Sequence, residues 1–243
     1  MSDVFQRKHP KGNRGQQALI ELKNAGFTYG DRDILAEMNF RLAPGSFHFL
    51  TGPSGSGKTT LLNLCYAALL PTRGLVRIFE QDVRAMERDD VARVRRRVGV
   101  VHQDCQFLDH LSLRDNIAMP LTVSGREAEL ADGNLDDLLG WVGLTDHADQ
   151  LPLELSGGER QRAALARAII TSPDLVLADE PTGNVDWEMA QRLLALLVEL
   201  NKMGKTILIA THDLNLIRAA KAQVSARVLR ISGGRLQLAG ADL

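Results

Sequence analysis

The chain has 243 residues, 44% hydrophobic and 24% charged, which is room for one large α/β domain with a subdomain and a sizeable core. A net charge of −1 supplies no global basic field for nucleic acid, so no nucleic-acid partner is expected. The longest apolar run, LLNLCYAALL, is too short to span a bilayer, so a soluble chain is expected, with any membrane link made through a partner.

Residues 1–17 set Arg7, Lys8, Lys11 and Arg14 against a single acid, Asp3, with no apolar run. They are expected to form a disordered basic tail and not a signal peptide. From Ala18 the pattern turns β-like, in ALIELKNAGFTYG and again in ILAEMNFRLAPG. SFHFLTG then enters a Gly-rich loop, and TTLLNLCYAALL leaves it as an apolar helix. PTRG reads as a turn and VRIFEQDV as a strand; RVRRRVG reads as a solvated helix face leading into a second apolar strand, RVGVVHQ, which ends at Gln103. Cys65 and Cys105 have neither metal-like nor C-x-x-C spacing and are expected as reduced, packed thiols.

Past Gln103 strands become scarce, and acidic and apolar residues mix at helical spacing, as in NLDDLLGWVGL. Residues 104–166 are therefore expected to be a helical subdomain inserted in an α/β core made of 18–103 and 167–243. The core resumes with DLVLADEP, a buried strand, then a long helix over WEMAQRLLALLVELNKMG, then TILIATHD, another buried strand. RVLRISGGRLQLAG reads as a hairpin about its Gly-Gly pair.

Four groups of residues carry chemistry. Gly52-Pro53-Ser54-Gly55-Ser56-Gly57-Lys58-Thr59 matches G-x-x-x-x-G-K-[ST] at every fixed position, between a strand and a helix. Its glycines let successive N–H groups face phosphate oxygens, Lys58 brings a cation to the β- and γ-phosphates, and the Thr59 hydroxyl suits Mg²⁺. Asp179 closes an apolar strand where it can hold the same ion. Strand alternation should turn Glu180 to the other side, where it can polarise a water beside the γ-phosphate. His212 and Gln103 are expected at two further strand ends, the imidazole to position that water and the amide to meet Mg²⁺ or water. Ser156-Gly157-Gly158 then opens an Ala-rich helix, LSGGERQRAALARA, and repeats the geometry of an anion site.

GPSGSGKTT, Gln103, LSGGERQR, VLADEPTGNVD and THD stand in the order and spacing of the ATP-binding-cassette (ABC) ATPases, and from about Ala18 onward the chain resembles them. The resemblance implies a P-loop NTPase fold: a RecA-like core with an antiparallel β-subdomain and an inserted helical subdomain. It implies an ATP hydrolase that uses ATP and Mg²⁺, with Gly52 through Thr60 around the phosphates and Tyr29 stacked on adenine. It also implies a head-to-tail homodimer in which Ser156, Gly157, Gly158 and Glu159 close on the other copy's ATP and Asp186 touches the opposite P-loop. Within the family, VVHQDCQFLDHLSLRDNIAMPL is most similar to the bacterial cell-division branch, whose ATPase serves a polytopic FtsX-like membrane subunit on the cytoplasmic face of the inner membrane and so controls peptidoglycan hydrolysis. The lipoprotein-release and macrolide-export branches share most of these motifs. On this resemblance Phe107, Leu108 and Leu111 are candidate contacts to the membrane subunit. His102 departs from the family's usual apolar or aromatic residue before the glutamine.

Overall fold

A computed structural model describes residues 18–130, 133–183 and 185–238; the basic segment 1–17 and Asn184 lie outside the described residues. Two runs expected as buried strands, β7 (Leu175–Asp179) and β8 (Thr206–Ala210), are buried at every position, and so is β3 (Phe47–Thr51), the run that enters the Gly-rich loop. That is the pattern of strands covered on both faces, and they form the middle of a parallel sheet.

The remaining elements, in chain order, are β1 (Ile20–Tyr29), β2 (Arg32–Leu42), α1 (Lys58–Cys65), β4 (Arg73–Ile78), β5 (Gln81–Asp82), α2 (Arg88–Arg95), β6 (Val98–Val101), α3 (Leu113–Val123), α4 (Asn134–Trp141), α5 (Gly157–Ile169), α6 (Trp187–Lys202), α7 (Leu214–Lys221), β9 (Ala226–Ser232) and β10 (Arg235–Leu238). The main sheet runs β10-β9-β3-β8-β7-β6; only the β9–β10 pair is antiparallel. Gly233 and Gly234, both at positive φ, make the hairpin turn that the sequence promised. A second sheet, β2-β1-β4-β5, is antiparallel throughout. This is the α/β core with an antiparallel β-subdomain expected from the motifs.

Side-chain alternation along the central strands feeds two cores. Phe47, Phe49, Val176, Ala178, Ile207 and Ile209 face a cluster built with α3, α4, α5 and α6. Leu50, Leu175, Leu177, Leu208 and Ala210 face the other, with α1 and the antiparallel sheet. Gly99 on β6 is a close-approach glycine: a Cβ there would stand 2.1 Å from the carbonyl oxygen of Ala168, so β6 can lie against α5 only without a side chain. Among the described residues from 104 to 156 there are helices and 3₁₀ turns and no strand.

Three local readings are corrected. The strand read over VRIFEQDV turns at Phe79 and Glu80, both at positive φ, and becomes the antiparallel pair β4–β5. The helix read over TTLLNLCYAALL stops at Cys65, and Ala67 takes φ 57°. Asn63 O accepts from both Ala68 N and Leu69 N, and Arg95 holds the carbonyls of Tyr66 and Ala67, so the backbone groups of a further turn are satisfied another way. The strand read through Gln103 ends at Val101, and Gln103 lies in the turn that follows.

Candidate active site

The P-loop joins β3 to α1, so β3 delivers it to the end of the sheet. Gly57 takes φ 99° as the residue before α1, and a Cβ there would stand 2.8 Å from Leu35 of the β-subdomain. The loop and the antiparallel sheet are thus in contact, and only glycine fits between them. A cleft of about 580 Å³ opens over the loop. It is lined by Gly52, Pro53, Ser54, Gly55, Gly57, Lys58, Thr59 and Thr60, by Tyr29 and Ile34, by Gln103, and by Asp179, Glu180, Gly183 and His212. Residues from five separate segments of sequence therefore meet in one place. Ile34 is a lining residue that no sequence motif signalled.

Several polar groups of the cleft are paired with one another or with the loop backbone. Lys58 Nζ donates to Gly52 O (3.0 Å) and Pro53 O (3.3 Å) and lies 3.8 Å from Glu180 Oε1. The Thr59 hydroxyl donates to Asp179 Oδ2 at 2.6 Å. Asp179 is buried, and its carboxyl is raised above the usual range, chiefly by desolvation and further by the Glu180 charge, against the Thr59 hydrogen bond. A carboxylate so placed gains from a nearby cation. Ser56 Oγ is buried with no hydrogen-bond partner among the described residues. A carboxylate and a hydroxyl already in contact, a movable ammonium and an orphaned hydroxyl fit a magnesium-bound polyphosphate.

Glu180 reaches the cleft by a different route from the one its strand pattern suggested. It sits just beyond β7 at φ 47°, so a left-handed bend, not strand alternation, turns it away from Asp179. Its N–H is held by Ala210 O at 2.8 Å. Its Oε2 lies 3.0 Å from Nδ1 of His212, and because a carboxylate can only accept, the imidazole donates. His212 lies two residues past β8 and its side chain is 76% exposed. Tyr29, the last residue of β1, is half exposed at the cleft mouth, with its ring edge-on to Phe27 at 4.7 Å.

The residues read as a second anion site stand elsewhere. None of Ser156, Gly157, Gly158 or Glu159 lines the cleft. Ser156 Oγ accepts from Glu159 N (3.3 Å) while Glu159 Oε2 accepts from Ser156 N (2.8 Å), a reciprocal capping box at the start of α5. Those backbone and side-chain bonds to Ser156 hold the Glu159 carboxyl below its usual value. The N–H groups of Gly157 and Gly158 lie ahead of the first intrahelical bond and are available to an anion. Gly158 packs toward Val185 and Met189, and Asp186 Oδ1 caps α6 by accepting from Met189 N at 2.8 Å. The sequence reading did not foresee that Asp186 is a helix cap, though Asp before a helical run is a common signal for one.

A family model described as ABC transporter matches residues 35–183, which include the P-loop, Ser156–Glu159 and Asp179–Glu180. The chain belongs to the ABC transporter family. Within it, the chain is 39% identical to the cell division ATP-binding protein FtsE of Escherichia coli K12, across 90% of this chain and 97% of that one. It is 40% identical to FtsE of Mycobacterium tuberculosis, across 84% and 87% respectively. It is also 34% identical to the macrolide export ATP-binding/permease protein MacB of Marinobacter nauticus, where the match covers 90% of this chain but 34% of MacB. Two solved structures superpose closely: a dimeric form of the ABC transporter cassette MJ0796 (TM-score 0.80, 33% identity, 90% of this chain, 96% of that one) and a dimeric post-hydrolysis state of MJ0796 bound to ADP and Pi (TM-score 0.79, 30%, 90%, 98%). The protein is an ABC cassette with the P-loop NTPase fold, related to FtsE, and an ATP hydrolase.

Proposed function

We propose that two copies of this cassette close head to tail on two ATP molecules, that hydrolysis reopens them, and that the movement drives a polytopic membrane subunit of the FtsX type in cell division. One observation carries the reading. The cleft over the P-loop and the capped start of α5 read as a second anion site belong to the same chain, yet none of Ser156, Gly157, Gly158 and Glu159 lines the cleft. A second copy supplies the missing half without any change to the fold. The relatives favour the division branch, since FtsE proteins match over almost their whole length. The MacB match supports the alternative, an export or lipoprotein-release subunit, over the cassette portion alone.

In this reading the loop Gly52 through Thr60 holds the phosphates, through the backbone N–H groups of every residue but Pro53, and Tyr29 takes the adenine ring. Lys58 leaves the carbonyls of Gly52 and Pro53 for the β- and γ-phosphates, which also removes a cation from Glu180. Thr59, Asp179 and Gln103 would hold Mg²⁺, which supplies charge neutralisation at the β- and γ-oxygens when bound. Glu180 accepts a proton from the attacking water while His212 holds the carboxylate and the water in place. The water oxygen bonds to the γ-phosphorus as the bond to the bridging oxygen breaks, and ADP departs with that electron pair. Ser156, Gly157, Gly158 and Glu159 of the second copy cap the γ-phosphate, and Asp186 reaches the opposite P-loop.

In this reading the membrane subunit docks on an apolar groove of the cassette. A groove of about 450 Å³ runs between α2, the end of α3 and the end of α5, lined by Tyr66, Val100, Pro120, Val123 and Arg167 among others. Val123 is 74% exposed, and Leu108 is exposed in the loop leading to α3. Phe107 and Leu111 are partly buried. An amphipathic helix would bury these apolar anchors. No described helix is long and apolar enough to cross a membrane, so attachment falls to the partner.

Replacing Glu180 by Gln tests the core of the proposal. The variant should bind ATP, lose turnover by about a hundredfold or more, and accumulate as an ATP-bound dimer in light scattering. Undiminished steady-state hydrolysis, or a monomer at saturating ATP, would sink it.

A further inference from the structure

Gln103 stands in a turn, and the two residues that complete that turn adopt a backbone conformation that side chains disfavour. Cys105 and Gln106 have φ 60° and 45°. Non-glycine residues stay in that region only where their surroundings hold them there. Here α5 does the holding. Arg167 Nη1 donates to Gln106 O at 2.8 Å, and its Nη2 donates to Cys105 O. The same guanidinium lies over the Phe107 ring, 4.6 Å from its centre. Six residues earlier on α5, Gln161 Oε1 accepts from the Cys105 thiol at 3.1 Å. A planar fork that meets two successive carbonyls and stacks on the next side chain fixes three residues at once, which a lysine cannot do. Arg167 is absent from the cleft lining, so its influence on chemistry has to pass through the turn.

We propose that Arg167 is a positioning residue for ATP hydrolysis: by clamping the left-handed turn at Cys105–Gln106 it holds Gln103 at the nucleotide cleft. The inference rests on the role given to Gln103 above. It assigns a function to the far end of the helix whose first turn is the second anion site, and it gives buried Cys105 a use as a reporter of the turn.

The test compares Arg167→Met, Arg167→Lys, Gln103→Ala and the double variant Gln103→Ala/Arg167→Met in the full chain. Arg167→Met should lower kcat about tenfold or more while KM for ATP stays within about a factor of two. Arg167→Lys, with one carbonyl still held, should fall between it and the unaltered protein. The double variant should be no slower than Gln103→Ala, because the two changes remove one function. In Arg167→Met, maleimide should label Cys105 faster well below the unfolding temperature, read by peptide mass. Cys65, fully buried with its thiol pushed up to about 12, should stay unlabelled as the internal control for intact folding. Should Arg167→Met fail to fold, Arg167→Lys carries the same comparisons. Multiplicative losses in the double variant, or a lower melting temperature with unchanged kcat, would make Arg167 a structural tie and overturn the proposal. Full turnover in Gln103→Ala would instead remove the role of Gln103, and the clamp would fall with it.

Discussion

His48 illustrates how a single side chain inside the sheet can set the acid limit of the whole protein. It lies on β3, four residues before the P-loop, between Leu208 of β8 and Arg227 of β9. It is buried, its Nδ1 has no hydrogen-bond partner among the described residues, and burial first, then the Arg227 charge, pulls its pKa down to about 4. The unfolded chain therefore takes up a proton near pH 6.5 that the folded chain refuses. The stability this group contributes is complete above about pH 6.5 and is lost as the pH falls toward 4, by roughly 2 kcal/mol between about pH 7 and pH 5. His48→Leu should flatten that part of a urea-unfolding pH series, and an unchanged slope would place the acid sensitivity in another group. At this scale most of the residues that meet in the cleft were legible, because phosphate and metal chemistry dictates such types and spacings. What was not legible was posture. Nothing in LADEP announces that Glu180 takes a left-handed φ, and nothing in FTYGDRDIL announces that Ile34 lines the cleft, because both depend on neighbours far away in sequence.

At the scale of one element, the residue that caps α5 has two uses. Ser156 caps the helix through Glu159, and in the proposed dimer it also faces the other copy's γ-phosphate. A single substitution separates the two. Aspartate is as good an N-cap as serine and suits the helix dipole, so Ser156→Asp should leave the melting temperature nearly unchanged. Its negative charge would stand against the phosphate, so ATP-driven dimerisation should be lost, as read by light scattering with and without ATP. Dimerisation that survives the change would mean the signature helix does not meet nucleotide. The elements whose sequence patterns were strongest, the fully buried strands and α6, stand where the apolar periodicity put them. Helix α1 was overread because LLNLCYAALL is apolar throughout, and apolar character does not say where a helix stops. Beyond Cys65 the Asn63 carbonyl accepts from Ala68 and Leu69 in a local turn, and Arg95, a distant residue, holds the Ala67 carbonyl.

For the molecule as a whole, the groove between α2, α3 and α5 gives the membrane question a physical form. It lies apart from the nucleotide cleft, so a lesion in it should uncouple attachment from catalysis. Val123→Glu, at a highly exposed position on the groove wall, should release the protein from membranes that contain its partner subunit while ATP hydrolysis by the free cassette persists. Continued co-sedimentation would move the docking surface elsewhere. The fold class was legible at this scale because motif order alone specifies it. The packing of Gly158 against Val185 and Met189 was not, since it joins segments brought together only by the finished core.

That packing has an arithmetic consequence. If each ATP is enclosed by the P-loop of one chain and the capped helix of another, a two-fold dimer keeps its working parts in crossed pairs. Mix a Lys58→Ala chain with a Ser156→Asp chain, each inert alone. In every mixed dimer one composite site then inherits both intact halves while its twin inherits both lesions. Hydrolysis should reappear in the mixture as hybrids form, rising and falling with the ratio of the two chains and greatest near equality, and silence at every ratio would argue that each cassette works alone or that both sites must fire together.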